Sequence, residues 1–272
     1  MADKLTVSIL GCGWYGLELA KALINKELSV NGSTTSATKL PVLQAANINP
    51  YLVNFSDAES FYDTAFFNCD VLWICFPPKI RSGNSSSYLV SIERIINTIK
   101  EYSIKQVVFI SSTGVYGEVN EKVDELTEPT PDSESGKALL QAERLLQQQT
   151  AFTTTIIRFA GLIGPGREPG RFLAGKKNIA NGLAPVNLIH LTDCIGISWA
   201  IFDKKAFGYT YNACSPNHPT RIDFYTKAAL HLGLETPEFV LEKKQWKVIN
   251  SINIGKILGY EYVVKDLMEY VK

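Results

Sequence analysis

The feature that most constrains this chain is a glycine-rich turn directly after its first apolar segment. Residues 5–10 are apolar and rich in β-branched side chains, as in a buried strand, and Gly11, Gly13 and Gly16 follow in the pattern G-x-G-x-x-G. Gly11 would allow a tight turn, Gly13 a close approach of the backbone to a phosphate, and Gly16 close packing of a helix on the strand. This context predicts a dinucleotide-binding turn, and a purely structural turn is the alternative.

A helix is predicted immediately after the turn, because apolar residues recur at helical spacing over residues 17–24. The first N–H groups of a helix have no intrahelical partners, and the positive end of the helix dipole lies beside them. We therefore predict that the backbone at Trp14 and Tyr15 joins the glycines in binding the phosphates of the cofactor.

The segment after the second predicted strand (28–32) bears on the choice of cofactor. NAD-selective folds place an Asp or Glu about 20 residues past the glycines, on the ribose 2′-hydroxyl, and no acid stands here. Thr34, Thr35, Ser36 and Lys39 are instead suited to hold a 2′-phosphate. The sequence therefore favours NADP, leaves NAD open, and also fits an ordinary polar turn before the next helix.

The order of the predicted elements defines the fold class. Further strands are expected at 50–53, 70–76 and 106–111, and helices at 39–46 and 88–102. Strands that alternate with helices form a parallel, right-handed, doubly wound α/β sheet, the Rossmann fold. Ligands bind beyond the carboxyl ends of such strands.

Three details along these elements bear on a bound ligand. Phe76 and Pro77 end the fourth strand, where the ribose of the cofactor should pass. Asp57 is predicted to cap a helix. The stretch 81–87, rich in Ser and Gly, is predicted to be a lid or a solvated loop.

Composition excludes several classes of protein. The 272 residues carry 27 basic and 27 acidic side chains, which indicates neither a nucleic-acid surface nor a polybasic membrane patch. Five cysteines without a C-x-x-C pair, together with three histidines, make a metal site unexpected and suit a reducing compartment. We find neither a signal segment nor an apolar run of membrane-spanning length. We expect a cytoplasmic protein that binds small molecules and does not bind nucleic acid or membranes.

Four ordered motifs resemble one family. The glycine turn and segment 108–117 (VFISSTGVYG), together with segments 157–166 (IRFAGLIGPG) and 186–193 (VNLIHLTD), are similar to the extended, epimerase-like branch of the short-chain dehydrogenase/reductase superfamily. The resemblance is closest to an atypical subgroup described as NAD(P)-dependent epimerase/dehydratase-like. It covers essentially the whole chain.

The resemblance implies a catalytic hydroxyl at the end of the fifth strand. In the family a Ser or Thr there holds the substrate hydroxyl or carbonyl, and this position corresponds to Ser112, with Thr113 beside it. Such a hydroxyl is suited to orient a carbonyl by a hydrogen bond. The alternative is that Ser112 only caps the turn.

The chain departs from the family at its Tyr-x-x-x-Lys pair. When the family helix is aligned on its Gly and Ala-Glu, Ser135 stands in place of the Tyr and Leu139 in place of the Lys. A shifted register recovers Lys137 with Ser133 four residues before it, again without a Tyr. A serine hydroxyl is a poor proton donor near neutral pH, so the family's acid is missing. Lys137 either contacts the ribose or a phosphate, or lies on a solvated helix face.

Other residues are candidates for the substrate side. Tyr116 either contacts substrate or packs, and His190 either acts as a base or packs. The loop 164–177 is rich in Gly, Pro and cations, and the family closes this region over a substrate that is often a nucleotide-linked sugar. Arg167 and Arg171 are suited to grip a phosphate or carboxylate, with a mobile surface loop as the alternative.

These observations predict a doubly wound core with a small C-terminal substrate lobe. The core is assigned to 1–160 and 186–213, and the substrate side to 161–185 and 214–272. The predicted function is that of an NAD(P)-dependent, epimerase/dehydratase-like oxidoreductase acting on a small polar or sugar-like substrate. The alternative is a non-catalytic sensor or regulator that binds NADP(H). A homodimer remains open.

Overall fold

A seven-stranded sheet forms the centre of the computed structural model, which describes residues 4–56, 59–78 and 86–271. The strands are β1 (Thr6–Leu10), β2 (Ser29–Thr34), β3 (Asn49–Leu52), β4 (Val71–Ile74), β5 (Gln106–Ser112), β6 (Thr153–Phe159) and β7 (Thr210–Ala213). Their order is β3-β2-β1-β4-β5-β6-β7. The pairs from β3 to β5 are parallel, with Leu10 opposite Ile74. The predicted doubly wound sheet is confirmed.

Eight α-helices connect or flank these strands in the described part of the chain. They are α1 (Trp14–Ile24), α2 (Leu40–Ala45), α3 (Ser86–Glu101), α4 (Glu134–Gln147), α5 (Gly170–Leu173), α6 (Leu191–Asp203), α7 (Arg221–His231) and α8 (Leu267–Tyr270). The helix predicted over 39–46 begins as a 3₁₀ turn at Ala37–Lys39, and Pro41 lies in the first turn of α2, where its missing N–H costs no hydrogen bond.

Short strands pair outside the main sheet. Gly161–Ile163 lies parallel to Leu188–His190, and Glu121–Val123 lies parallel to Lys247–Ile249. Asn54–Phe55 pairs antiparallel with Ser60–Phe61. Residues Ile254–Leu258, which follow the strand Lys247–Ile249 in the chain, form a π-helical turn.

The burial pattern explains why β4 is an inner strand. Its four side chains, from Val71 to Ile74, are all at most 4% exposed, as expected for a parallel strand covered on both faces. In α3, Ile92, Ile95 and Ile99 are fully buried and share one face of the helix, which packs toward the core.

The chain divides into two compact units. The first unit comprises residues 1–112, 133–157 and 198–210, and the second comprises 113–132, 158–197 and 211–272. In the second unit, α7, α8 and the pair of short strands share a core that includes Ile163, Leu188, Phe224 and Leu267. The sequence assigned 1–160 and 186–213 to a dinucleotide-binding core, and 161–185 and 214–272 to a substrate side. This division stays a prediction.

Two predictions concern residues outside the described ranges. These are the helix cap at Asp57 and most of the lid at 81–87, of which 81–85 are not described. No helix in the described ranges is long and apolar enough to cross a membrane.

Candidate functional site

The glycine turn between β1 and α1 has a geometry that only glycine fits at two positions. Gly11 has a φ of +102°, which side-chain-bearing residues rarely adopt. A Cβ on Gly16 would collide with the carbonyl oxygen of Gly11, so the helix can pack this closely on the strand only without a side chain. The fingerprint is therefore built as its spacing predicts.

Gly13 differs from these two because it faces open space. A Cβ added at Gly13 would meet no atom of the described chain within 4 Å. Gly13 is also the N-cap residue of α1 and carries no side chain that could cap the helix. The space beside Gly13, at the start of α1, is therefore open to an anionic group.

The side chains of the two residues after Gly13 are partly or largely buried. Tyr15 is 6% exposed, and its hydroxyl lies 2.6 Å from Ser198 Oγ in the same unit. Trp14 begins α1 and is half-buried. Contact of either residue with a phosphate would use the N–H groups of the first helical turn.

The end of β2 holds the glycine turn in place. Gly11 N donates to Ser33 Oγ at 2.9 Å, and Cys12 N donates to the Ser33 carbonyl at 2.9 Å. Ser33 is only 1% exposed. The sequence did not predict this role of Ser33, because nothing in the local pattern shows that its hydroxyl reaches back 22 residues.

A pocket of about 420 Å³ opens at the carboxyl ends of β1, β2 and β4 in the first unit. This volume falls in the range typical of small-molecule sites. The described lining residues are Leu10, Gly11, Cys12, Gly13, Ser33, Thr34, Thr35, Lys39, Val53, Asn54, Phe55, Ser56, Cys75, Phe76, Pro77, Ser87, Tyr88 and Ser91. The pocket thus brings together the glycine turn, the segment after β2 and the predicted contacts Phe76 and Pro77.

The segment after β2 places hydroxyls and one cation at the pocket. Thr34, Thr35 and Lys39 line it, and Lys39 is exposed and forms no ion pair with any described residue. Ser36 N donates to Thr34 Oγ1 at 3.1 Å, which orders the turn; Ser36 itself is not among the lining residues. None of the described lining residues is acidic.

Two cysteines also line this pocket, and burial keeps their thiols neutral. Burial raises the pKa of Cys12 to about 12, and it raises the pKa of Cys75 well above its ordinary value. At neutral pH the thiols add no negative charge that would repel an anionic ligand.

The described residues contain no group of three or more His, Cys, Asp or Glu side chains suited to a metal ion.

The predicted catalytic hydroxyls lie where β5 ends. Ser112 is half-buried at the last position of β5, and it is not among the residues that line the pocket. Thr113 is 6% exposed and opens the 3₁₀ turn Thr113–Val115 of the second unit. Ser111, one residue earlier, donates its hydroxyl to Oε1 of the fully buried Glu143 at 2.5 Å.

The two registers considered for the missing Tyr and Lys both lie at the start of α4. Ser133 is the N-cap residue and accepts a hydrogen bond from a backbone N–H of the helix at 3.1 Å. Ser135 is exposed and Leu139 is 6% exposed. Lys137 pairs with Glu134 at 2.8 Å, and both side chains are more than half exposed. Neither register supplies a phenol.

Tyr116 is enclosed in a polar network of the second unit. Its hydroxyl lies 2.8 Å from the Asp124 carbonyl and 3.1 Å from Asn212 Oδ1, and it accepts a hydrogen bond from Arg158 Nη1 at 2.7 Å. Tyr116 is 1% exposed, and burial raises the pKa of its phenol. This arrangement favours packing over substrate contact, both of which the sequence left open.

His190 is also held by its neighbours. Its Nδ1 accepts a hydrogen bond from Thr192 N at 3.2 Å, and its ring centroid lies 4.7 Å from that of Tyr270. Burial lowers the pKa of the imidazole. These contacts favour the packing alternative for His190.

The two arginines of the predicted substrate loop are exposed. Arg167 closes a tight turn, because its N donates to the Gly164 carbonyl at 2.8 Å. Arg171, in α5, has Nε 3.8 Å from Glu168 Oε2, and its side chain is 66% exposed. The guanidinium of Arg171 remains accessible, because so distant and exposed an ion pair is weak.

Comparison with known proteins identifies the family of the chain. The family model described as NAD(P)H-binding matches residues 11–184. Protein YeeZ of Escherichia coli strain K12 is 35% identical over 266 residues, which cover 96% of each chain.

Solved structures share the fold. A conserved protein of unknown function from Silicibacter pomeroyi superposes with a TM-score of 0.81 at 22% identity, covering 98% of this chain and 97% of that one. A UDP-glucuronic acid 4-epimerase from Bacillus cereus, solved in complex with NAD, superposes with a TM-score of 0.81 at 18% identity, covering 98% and 96%. At such identities the likeness establishes the fold alone.

Proposed function

We propose that this chain, which belongs to the NAD(P)H-binding family, is an epimerase/dehydratase-like oxidoreductase of the extended short-chain dehydrogenase/reductase superfamily that uses NADP(H). The observation that carries this proposal is the pocket of the first unit. It joins the open face of Gly13, at the N-terminus of α1, to a described lining with one lysine and no acid.

The residues present fit a dinucleotide phosphate. The pyrophosphate would lie against Gly13, since no described atom occupies the space there. Lys39, with Thr35 beside it on the lining, would face the 2′-phosphate. An acid at this place would repel that phosphate, so the described lining supports NADP over NAD.

The proposed chemistry is hydride transfer with a small polar or sugar-like substrate. A bound nicotinamide supplies or accepts the hydride. Ser112 or Thr113 would hold the oxygen on the reacting carbon by a hydrogen bond. Arg167 and Arg171 would bind a phosphate or carboxylate of the substrate. The structural neighbours that act on UDP-linked sugars support a sugar-like substrate.

Two measurements test the enzyme proposal. Purified protein is incubated with NADP(H) and a panel of sugar nucleotides and simple carbonyl compounds, and turnover is followed by nicotinamide absorbance and by product chromatography. Chromatography is needed because an epimerase returns its cofactor unchanged. Ser112→Ala should abolish any activity found while cofactor affinity stays the same.

A second function is favoured by one observation. The positions aligned with the family Tyr and Lys hold the exposed Ser135 and the buried Leu139, so the usual acid is missing. A protein that binds NADP(H) without turnover, as a sensor or regulator, needs only the pocket. Saturable NADPH binding without turnover of any compound in the panel would favour this second function.

A further inference from the structure

Tyr88 is a buried tyrosine that lines the proposed cofactor pocket and to which no function has so far been assigned. It lies in the first turns of α3 and is 6% exposed. Its ring meets Phe76 edge to face, with centroids 5.6 Å apart at 74°. The ring is therefore fixed at the end of β4, beside the glycine turn that follows the neighbouring β1.

The hydroxyl of Tyr88 is poorly satisfied for a group so deeply buried. Its one hydrogen bond to a described residue goes to the Phe76 carbonyl at 3.5 Å. Hydroxyl donors in proteins usually lie about 2.7 to 2.8 Å from their acceptors, so this bond is weak. Buried hydroxyls normally have a good partner, and one without such a partner at a pocket wall is available to a ligand.

Two other buried hydroxyl groups of the first unit have closer hydrogen-bond partners. Ser91 Oγ, on the same face of α3, donates to the Ser87 carbonyl at 3.0 Å. Tyr15, another buried phenol of the first unit, has Ser198 Oγ at 2.6 Å. Tyr88 is unlike them because it has no hydrogen-bond partner closer than 3.5 Å among the described residues.

Burial, followed by the nearby charge of Glu143, raises the pKa of Tyr88. The phenol therefore keeps its proton at neutral pH and acts as a donor. Its natural partner is an acceptor oxygen of a ligand.

The position of Tyr88 indicates which part of the ligand it meets. Cys75 N donates to the Leu10 carbonyl at 2.9 Å, so the ends of β4 and β1 are adjacent. A Cβ on Gly11 would lie 3.2 Å from the Cys75 carbonyl oxygen, which places the glycine turn against the residue before Phe76. If the glycine turn holds the pyrophosphate, as its fingerprint predicts, the group beside both features would be the pyrophosphate with its adjoining ribose rather than the nicotinamide.

We propose that the Tyr88 hydroxyl donates a hydrogen bond to an oxygen of the pyrophosphate or adjoining ribose of the bound dinucleotide, as an additional cofactor-binding residue. The inference rests on the proposed function, because it assumes that the pocket takes NADP(H). It assigns Tyr88 to binding and assigns it no proton transfer.

The test compares wild type with Tyr88→Phe, which removes only the hydroxyl and keeps the ring against Phe76. Calorimetric titrations use NADPH and 2′-phospho-ADP-ribose, which lacks the nicotinamide. Tyr102→Phe, on the surface of the same unit and off the pocket lining, is the matched control. Melting temperatures without ligand report on folding.

The proposal expects Tyr88→Phe to weaken both ligands by about tenfold, the loss typical of one hydrogen bond in a buried site. The unliganded melting temperature should stay unchanged, because the 3.5 Å bond contributes little, and Tyr102→Phe should bind like wild type. A lower melting temperature with unchanged affinity would make the hydroxyl structural and overturn the proposal. A loss confined to NADPH would overturn it by moving the contact to the nicotinamide. If wild type binds neither ligand, the proposed function itself fails, which is a distinct result.

Discussion

Replacing Lys39 by Ala tests the proposed preference for NADP. Lys39 is the one cation in the described pocket lining, and it forms no ion pair with a described residue. Removing it therefore breaks no ion pair within the described part of the chain, and stability should stay the same. Its effect should appear only with ligands that carry a 2′-phosphate.

The magnitude follows from Coulomb's law. Lys39 is exposed, so the dielectric is near that of water, and a pair of unit charges about 4 Å apart gains about 1 kcal/mol. A phosphate carries a charge of about −1.5 to −2 at neutral pH, which gives about 2 kcal/mol before screening. Salt with a Debye length of about 8 Å reduces this to about 1.2 kcal/mol, or a little under tenfold in affinity.

The assay is a fluorescence titration of wild type and Lys39→Ala with NADPH and NADH at two salt concentrations. NADPH affinity should fall about tenfold at physiological salt and more at low salt, while NADH affinity stays constant. Lys105→Ala, another exposed lysine that does not line the pocket, is the control. Equal losses for NADPH and NADH, or tighter binding of NADH by wild type, would refute the assignment of Lys39 to the 2′-phosphate.

Three further predictions follow from the geometry. Gly13→Ala should weaken NADPH binding by tenfold or more, about 1.4 kcal/mol, because the added methyl group fills the space proposed for the phosphate. Gly255 is also exposed, with open space around it, so Gly255→Ala is the control and should leave the affinity measured by calorimetry unchanged. Tyr116→Phe should lower the free energy of unfolding by about 2 kcal/mol in urea titrations, because it deprives a buried guanidinium and two acceptors of a partner. Burial lowers the pKa of both His190 and His218, so the unfolded state binds protons first and stability should fall as pH drops below about 6.5. Urea titrations of His190→Gln and His218→Gln should show a smaller pH dependence.

Each of these three has an opposing outcome. If Gly13→Ala binds NADPH like wild type, the phosphate does not lie at that glycine. A Tyr116→Phe variant as stable as wild type would mean that its hydrogen bonds contribute nothing net. Unchanged pH dependence in both histidine variants would assign the acid sensitivity to other groups.

The parts of the fold that could be predicted are those carried by local patterns. The spacing of Gly11, Gly13 and Gly16 after an apolar run defines a strand, a turn and a helix, and the structure contains them. The alternation of strands and helices predicted the parallel order of the sheet, since crossover connections are right-handed. The bounds of β4 were predicted too long, because Cys75 and Phe76 are apolar but already belong to the pocket wall.

The rest depends on contacts between residues distant in sequence. Ser33 holds the Gly11 backbone, and Tyr88 reaches the pocket from a helix that follows an undescribed segment. The motif left open whether Tyr116 contacts substrate or packs, and in the structure Arg158 and Asn212 surround its hydroxyl. Such partners cannot be identified from a single sequence, because no periodicity links them.

The most direct test of the central claim is a calorimetric titration of nucleotide-free protein with NADPH and then NADH. The account predicts saturable one-to-one binding of NADPH that is tighter than binding of NADH. Absence of saturable binding for both dinucleotides would contradict it, because the pocket at the glycine turn would then not be a cofactor site.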